Sequence, residues 1–457
     1  MQPNRGLVLT IAILASFVAF LDGSVVNVIL PALQEELGGG LSTQQWVVDA
    51  YLIALGSLIL LAGSLSDLFG RVRVLRAGLI GFGVTSVAIA LAPTAELVVA
   101  LRGLQGVAGA LLVPSSLALI LSVFRGPDQG RAIGTWTAWT SAAFLAGPVL
   151  GGVFVDVLSW RLVFAINVIP IAVTLVLLAR LGMRDERREG ARVDIPGAIL
   201  GVLGLGGPVW ALIEQPSLGW GHPVILIPLV GGLACLVAFV WWQSRAAQPM
   251  LPLRLFRDRN FAAGNVATAF IYAGLSVSGF VVVVFLQQVA GFSPTVAALA
   301  FLPVSIANVA LSRFFGGLSA RYGPRVFMTV GPILAGIGHL LFLGLSEEVD
   351  YVTQVLPGVV LFSLGISMTV APLTSAVLGG VPAADAGVGS AANNAVARVA
   401  GLLGIAAIGV VAAGQLSVEG FHRSIVLISA LLLAGGVISL VGIRNPARES
   451  AADAAER

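Results

Sequence analysis

The chain has no lysine, one cysteine (Cys235), three histidines and four tyrosines, and only 10% of its 457 residues are charged. Each shortage excludes something. A single cysteine rules out a disulfide framework and a cysteine-based metal centre. His222, His339 and His422 are scattered without metal-ligand spacing, so no metal site is expected. Soluble domains carry about 25% charged residues. A chain at 10%, with 58% apolar residues and a mean hydropathy of +0.99, belongs in a bilayer. All 25 basic residues are arginine, which reflects a coding bias toward GC-rich DNA and no particular chemistry. A pI near 9.6 would suit a nucleic-acid partner, but the arginines form no single basic face, so none is expected.

What the chain has in abundance is glycine, 56 residues, as expected where helices pack closely in lipid. It also has long apolar runs. A run of about 20 residues crosses a ~30 Å hydrocarbon core. Fourteen such spans lie near 7–30, 44–63, 75–92, 97–123, 133–155, 161–180, 195–213, 223–243, 261–287, 294–315, 326–345, 353–375, 389–413 and 421–442. With the N-terminus in the cytoplasm, Arg161 and Arg423 fall outside, Arg102, Arg313 and Arg398 fall within spans, and the remaining arginines are cytoplasmic. The opposite orientation reverses that bias and breaks the positive-inside rule. Both termini are therefore expected in the cytoplasm. The first span is too long for a cleavable signal and contains an acid, and the short polar tail gives no sign of a soluble catalytic domain.

An internal repeat organises the spans. Gly63, Leu65, Ser66, Asp67, Phe69 and Gly70 recur as Gly316, Leu318, Ser319, Ala320, Tyr322 and Gly323, an offset of 253 that Gly78 and Gly331 continue. A parallel repeat of this kind, with an axis along the membrane normal, is one transporter pattern. The expected division is a six-helix bundle over 1–180, a linker over 181–194, an inserted helix pair over 195–243, a linker over 244–260, a second six-helix bundle over 261–443 and a tail over 444–457. The mixed charges of the first linker suit a solvated loop, and its arginines can touch anionic head groups.

Asp22 is the most informative residue. An acid near the middle of a membrane helix costs about 2.5–3.5 kcal/mol on insertion scales, so such residues face a bundle interior or water. A carboxyl that exchanges its proton there can couple proton flow to other work. The competing reading is a structural acid bonded to neighbouring helices. Arg102 lies at comparable depth on the fourth span, roughly 7–13 Å below the boundary at 1.5 Å per residue, with Gln105 one turn away on the same face. An arginine that approaches and withdraws from a carboxyl changes its affinity for a proton; an arginine that only satisfies backbone carbonyls is the alternative. Asp49, at about the depth of Asp22, is either a second proton site or a solvated helix-end acid. Asp156 and Glu214, at span ends, are expected in outer loops.

These residues sit in motifs. Leu21, Asp22, Gly23, Ser24, Val25, Val26, Asn27 and Pro31 form the first. Gly63, Asp67, Gly70, Arg71 and Arg73 form a tight turn. Leu101, Arg102, Gly103, Gln105, Gly106 and Gly109 form a third, and Gly147, Pro148, Gly151 and Gly152 a fourth, followed by Trp160, Arg161, Asn167 and Pro170. Together they resemble the fourteen-span drug:proton antiporter branch of the major facilitator superfamily, over nearly the whole chain. The resemblance implies an all-α membrane protein of two six-helix bundles plus two inserted helices. It implies proton coupling at Asp22, with Arg102 and Asp49 as further candidates, a cytoplasmic conformational latch at Gly63, Asp67, Gly70, Arg71 and Arg73, and an exporter's antiporter motif at Gly147, Pro148, Gly151 and Gly152. Gln105, Trp136, Trp139, Phe144, Asn265, Tyr272, Gln287 and Arg398 are candidate cavity residues, each with packing as the rival role. No acid lies within the last six spans, which places proton chemistry in the first half.

The expected protein is thus a proton-coupled exporter of amphipathic drugs or other small organic compounds, working as a monomer in the bacterial plasma membrane, with the proton as coupling ion and no cofactor. The alternatives are a dedicated exporter of an endogenous metabolite, lipid or self-made antibiotic and, more remotely, a non-transporting sensor. An enzyme would need a metal cluster or nucleophile–base pair, a sensor a soluble signalling domain, and a channel a filter-like segment; none is present in the sequence.

Overall fold

The computed structural model describes residues 4–182, 193–382 and 385–445, without the side chains of Asp67, Pro127, Phe144 and Ala386. Most of the expected linker 181–194 and the tail from 446 onward lie outside the described residues. In hydrocarbon every backbone polar group must be satisfied within its own segment, so spans are helical. The first half holds α1 (Arg5–Leu37), α2 (Leu41–Phe69), α3 (Arg71–Ala90), α4 (Ala95–Val123), α5 (Gly126–Val157), α6 (Arg161–Ala165) and α7 (Val168–Arg180). Next come α8 (Ile195–Leu218) and α9 (Pro223–Gln243). The last part holds α10 (Arg259–Gln288), α11 (Pro294–Leu299), α12 (Leu302–Tyr322), α13 (Pro324–Leu340), α14 (Leu356–Leu378), α15 (Ala386–Val411) and α16 (Val418–Gly442). Among the described residues, fourteen stretches are long and apolar enough to span; the protein is a multi-pass membrane protein.

Two expected continuous spans are broken. Pro170 lacks an N–H and crowds the carbonyl of residue 166, so the sixth span divides into α6 and α7 around Ile166 and Asn167. Pro303 acts the same way on the carbonyl of Leu299, where α11 ends. The repeat appears as a pair of one-residue links. Gly70 (φ 97°) ends α2 and opens α3, and Gly323 (φ 85°) ends α12 and opens α13. A side chain is disfavoured at such angles, which explains glycine at both.

The packing follows the repeat. Helix α1 packs on α5, α4 and α7, and α4 on α2 and α3; in the other half α10 packs on α16 and α15, and α14 on α13 and α12. Helices α8 and α9 pack on each other, and α8 alone reaches both halves, lying against α2 and α15. Asp194 ties this pair together at one end: it caps α8 at Gly197 and accepts from Trp242 Nε1 and Gln243 Nε2, both at 2.7 Å. At the opposite end Trp46 Nε1 of α2 donates to Glu214 of α8 at 2.7 Å. Glu214 is therefore inside a helix and engaged, not in an outer loop as the sequence suggested.

The end carrying Arg5 and Asn445 is called here the terminal end, and the end carrying the α1–α2 connection the far end. Hydrogen bonds join the halves at the far end. Gln45 Nε2 donates to the carbonyls of Ile405 and Ala406, Gln287 Nε2 to Val28, and Gln288 to Gln34. Asp156, in the last turn of α5 and not in a loop, accepts from Ser293 Oγ and Thr295 N. Toward the terminal end the halves part: α5 packs on α11, whereas α12 packs on α14 and α13.

Candidate functional site

Asp22 lies in α1 with none of its surface exposed. Its Oδ2 accepts from Arg102 Nη1 at 2.6 Å, and its Oδ1 from Gln105 Nε2 at 3.3 Å and Asn167 Nδ2 at 3.2 Å. Arg102, 1% exposed, also donates from Nε to the Val47 carbonyl (3.0 Å) and from Nη1 to Gln105 Oε1 (2.7 Å). Its guanidinium lies 4.2 Å from the Tyr51 ring centroid, which adds a cation–π contact. Gln105 completes the network by donating to Ser86 Oγ at 2.9 Å. Arg102 is thus both paired with Asp22 and bonded to a backbone carbonyl; the two readings of the sequence coexist. Burying such a pair is tolerable only because further hydrogen bonds complete it, and removing one partner costs about 3–5 kcal/mol.

Five segments converge here: α1, α2, α3, α4 and the α6–α7 break. The break matters chemically, because it carries Asn167, whose Nδ2 reaches Asp22. Asn167 belongs to a motif visible in the sequence, though its role was not. Ser86 carried no signal, since a lone serine in an apolar span commonly bonds to its own helix. The offset of 253 carries Ser86 onto His339, whose Nε2 is 2.7 Å from Ser278 Oγ in the buried core of the second half. One half therefore holds an ion pair where the other holds a His–Ser pair whose imidazole also meets the Ala335 carbonyl.

Asp49 does not join this network. It is fully buried, which rules out a solvated acid, and neither carboxylate oxygen has a hydrogen-bond partner. It shares the face of Trp46 and Ile53 on α2, and these pack into a cluster with Leu205 and Val209 of α8 and Leu402 of α15.

The glycines of the fourth motif are contact points. A Cβ on Gly147 would lie 3.1 Å from the Leu21 carbonyl oxygen of α1, and Gly151 packs against Val25. A Cβ on Gly152 would come within 2.6 Å of Thr295 Cα and 2.9 Å of the Pro294 oxygen. Pro148 is inside α5, between these contacts. In the turn motif, Gly70 makes the link and Arg71 opens α3. Gly63, expected to permit close approach, instead lies exposed on α2 with no atom near its Cβ position, because the halves are apart at that end. The Asp67 side chain lies outside the described residues, and Arg73 is exposed.

The candidate cavity residues separate into groups. Gln287 closes the far-end seam on Val28, and Trp136 docks on Ser16 of α1 through Nε1 at 3.0 Å. Asn265 is buried and bonded to Asn393. Trp139 is 54% exposed on α5, and Tyr272 and Arg398 are half-buried on α10 and α15. Phe144 has no described side chain. Among the described residues no group of three His, Cys, Asp or Glu could hold a metal.

Comparison with known proteins agrees with this architecture. The sequence model described as the Major Facilitator Superfamily matches residues 12–405. A puromycin resistance protein of Streptomyces alboniger is 34% identical over 418 residues, covering 90% of this chain and 83% of that protein. A multidrug resistance protein of Mycobacterium tuberculosis is 34% identical over 91% of this chain and 77% of its own length. A cephamycin export protein of Amycolatopsis lactamdurans is 33% identical over 87% of this chain and 83% of its own. Among solved structures, a peptide transporter crystallised with sulfate superposes with a TM-score of 0.71 at 17% identity, covering 96% of this chain and 94% of that one; at that identity the likeness concerns the fold.

Proposed function

Since the chain belongs to the Major Facilitator Superfamily, a family of transporters and not of enzymes, we propose that it is a proton-coupled antiporter exporting amphipathic drugs or other small organic compounds. The observation that carries this reading is the Asp22–Arg102 pair, an ionisable couple at 2.6 Å closed off from solvent within one half. The named functions of the relatives, resistance to or export of antibiotics, supply the direction of transport and the substrate class. A proton reaching Asp22 weakens the pair and frees Arg102 to reorganise, and loss of that proton restores it. One charge moved inward across 100 mV supplies about 2.3 kcal/mol to drive the exchange.

The arginine distribution supports a cytoplasmic terminal end, in the plasma membrane of a bacterium. In that orientation the closed far end and parted terminal end are the inward-facing state of an alternating-access cycle. The two six-helix bundles rock about a central site, with 195–243 inserted between them, and a single chain holds the complete pathway, so the monomer is the working unit. Surrounding lipid and the small organic substrate are its partners, and no cofactor beyond the proton is needed. A second reading, export of a self-made antibiotic, draws support from relatives whose names pair export with a single compound. Ethidium efflux from cells lacking their own pumps, with and without an uncoupler, tests the proposal. Uncoupler-sensitive efflux that Asp22→Asn abolishes, measured per amount of protein in the membrane, is the expected result; full efflux in that variant refutes the coupling role.

A further inference from the structure

Three arginines lie within spans, and the structure treats them differently. Arg102 is bonded to Asp22, Gln105 and Val47, and Arg313 is exposed on α12. Arg398 stands near the middle of α15, roughly 18 Å along the axis from its start at 1.5 Å per residue. It is half-buried, and its Nε is buried with no hydrogen-bond partner. No ion pair reaches it among the described residues. Its electrostatic neighbours are the phenols of Tyr51 on α2 and Tyr272 on α10, one from each half, and the backbone of α2 passes beside it at Gly56. Arg398 therefore stands where α15 meets α2 of the other half.

A cation at membrane depth needs an acceptor, and the described chain offers it none. Asp22 already accepts three hydrogen bonds. Asp49 forms no ion pair and no hydrogen bond among the described residues. In the second half Asp385 pairs with Arg254 and Glu419 with Arg423, both at helix ends, while Glu347, Glu348 and Asp350 lie in the connection before α14. One turn from Arg398 toward the terminal end, Asn394 is exposed, so this stripe of α15 leads from the parted end to the guanidinium. One half-buried aromatic ring, Tyr272, and one unmatched cation make a site for a molecule with an apolar body and a negative head.

Building on the transporter reading above, we infer that Arg398 is an anion subsite of the transport cavity, taking the carboxylate of amphipathic organic acids. The planar guanidinium fork matches a carboxylate in two parallel hydrogen bonds, which an ammonium cannot do. The apolar body of the substrate packs on the half-buried ring of Tyr272. Organic acids are therefore held more tightly than neutral or cationic compounds of the same shape.

The test is equilibrium binding to the purified full chain in detergent, with 1-pyrenebutyrate and its neutral amide as matched probes and ethidium as the cation. The wild type should bind the acid about ten- to a hundredfold more tightly than the amide, the range of a charge-assisted hydrogen-bond pair. Arg398→Gln should erase that preference while leaving the amide unchanged and ethidium equal or tighter. Arg398→Lys, which keeps the charge without the fork, should retain part of the preference. Equal or absent binding of acid and amide in the wild type, or equal weakening of both probes in Arg398→Gln, overturns the subsite. Binding is read without a proton gradient, so a failure of proton-driven export leaves this result standing, and loss of the anion preference leaves the export reading standing.

Discussion

Replacing either partner of the Asp22–Arg102 pair tests the central geometry most sharply. In Asp22→Asn the guanidinium keeps the Val47 carbonyl and Gln105 Oε1 but loses its 2.6 Å contact with a counter-charge. In Arg102→Gln the carboxylate keeps Gln105 and Asn167 and loses its cation. Each single change leaves an uncompensated charge in the interior and should cost about 3–5 kcal/mol. The double variant leaves no net charge, and neutral replacement of a buried pair is often close to harmless. It should therefore be no less stable than either single variant, with a coupling energy of roughly 3 kcal/mol, about a hundredfold in the unfolding equilibrium. Unfolding of the purified protein in mixed micelles, followed by tryptophan fluorescence, measures all four corners of this cycle. Substrate/proton exchange in vesicles should be absent in both single variants and in the well-folded double variant, separating folding from coupling. Strict additivity of the two costs would refute the pair as the electrostatic unit of the site.

Two further outcomes follow from the packing. Gly152→Ala places a methyl group against the backbone of Thr295 and Pro294, which cannot yield as a flexible side chain would. It should cost about 1–3 kcal/mol of far-end closure and speed labelling of a Gln287→Cys reporter by an impermeant maleimide in a Cys235→Ser background; unchanged labelling would show that α5 and α11 do not form the seal. Asp49→Leu removes a buried acid without hydrogen-bond partners, so it should stabilise the protein by about 1–3 kcal/mol, read as a raised midpoint in detergent thermal unfolding. A lowered midpoint would mean that Asp49 has a partner in the folded protein.

Span number, span length and the glycine links were legible in the sequence because each depends on a short stretch of chain. Twenty apolar residues must cross the hydrocarbon as a helix whatever surrounds them, and a one-residue reversal at Gly70 or Gly323 needs glycine on local steric grounds. The breaks at Asn167 and Phe301 were equally local, written in Pro170 and Pro303, but an apolar run conceals them. Partnership was a different matter. Asp22 and Asp49 look alike as lone acids at similar depth, yet one accepts three hydrogen bonds and the other none. Arg102 and Arg398 look alike as lone cations, yet only one meets a carboxylate. Gly63 and Gly152 both belong to motifs, and only Gly152 is in close contact in this state. The partners lie 80 residues apart for Asp22 and Arg102 and 145 for Asp22 and Asn167. Which side chains meet over such separations is decided by how whole helices pack, and no local pattern of residues contains that information.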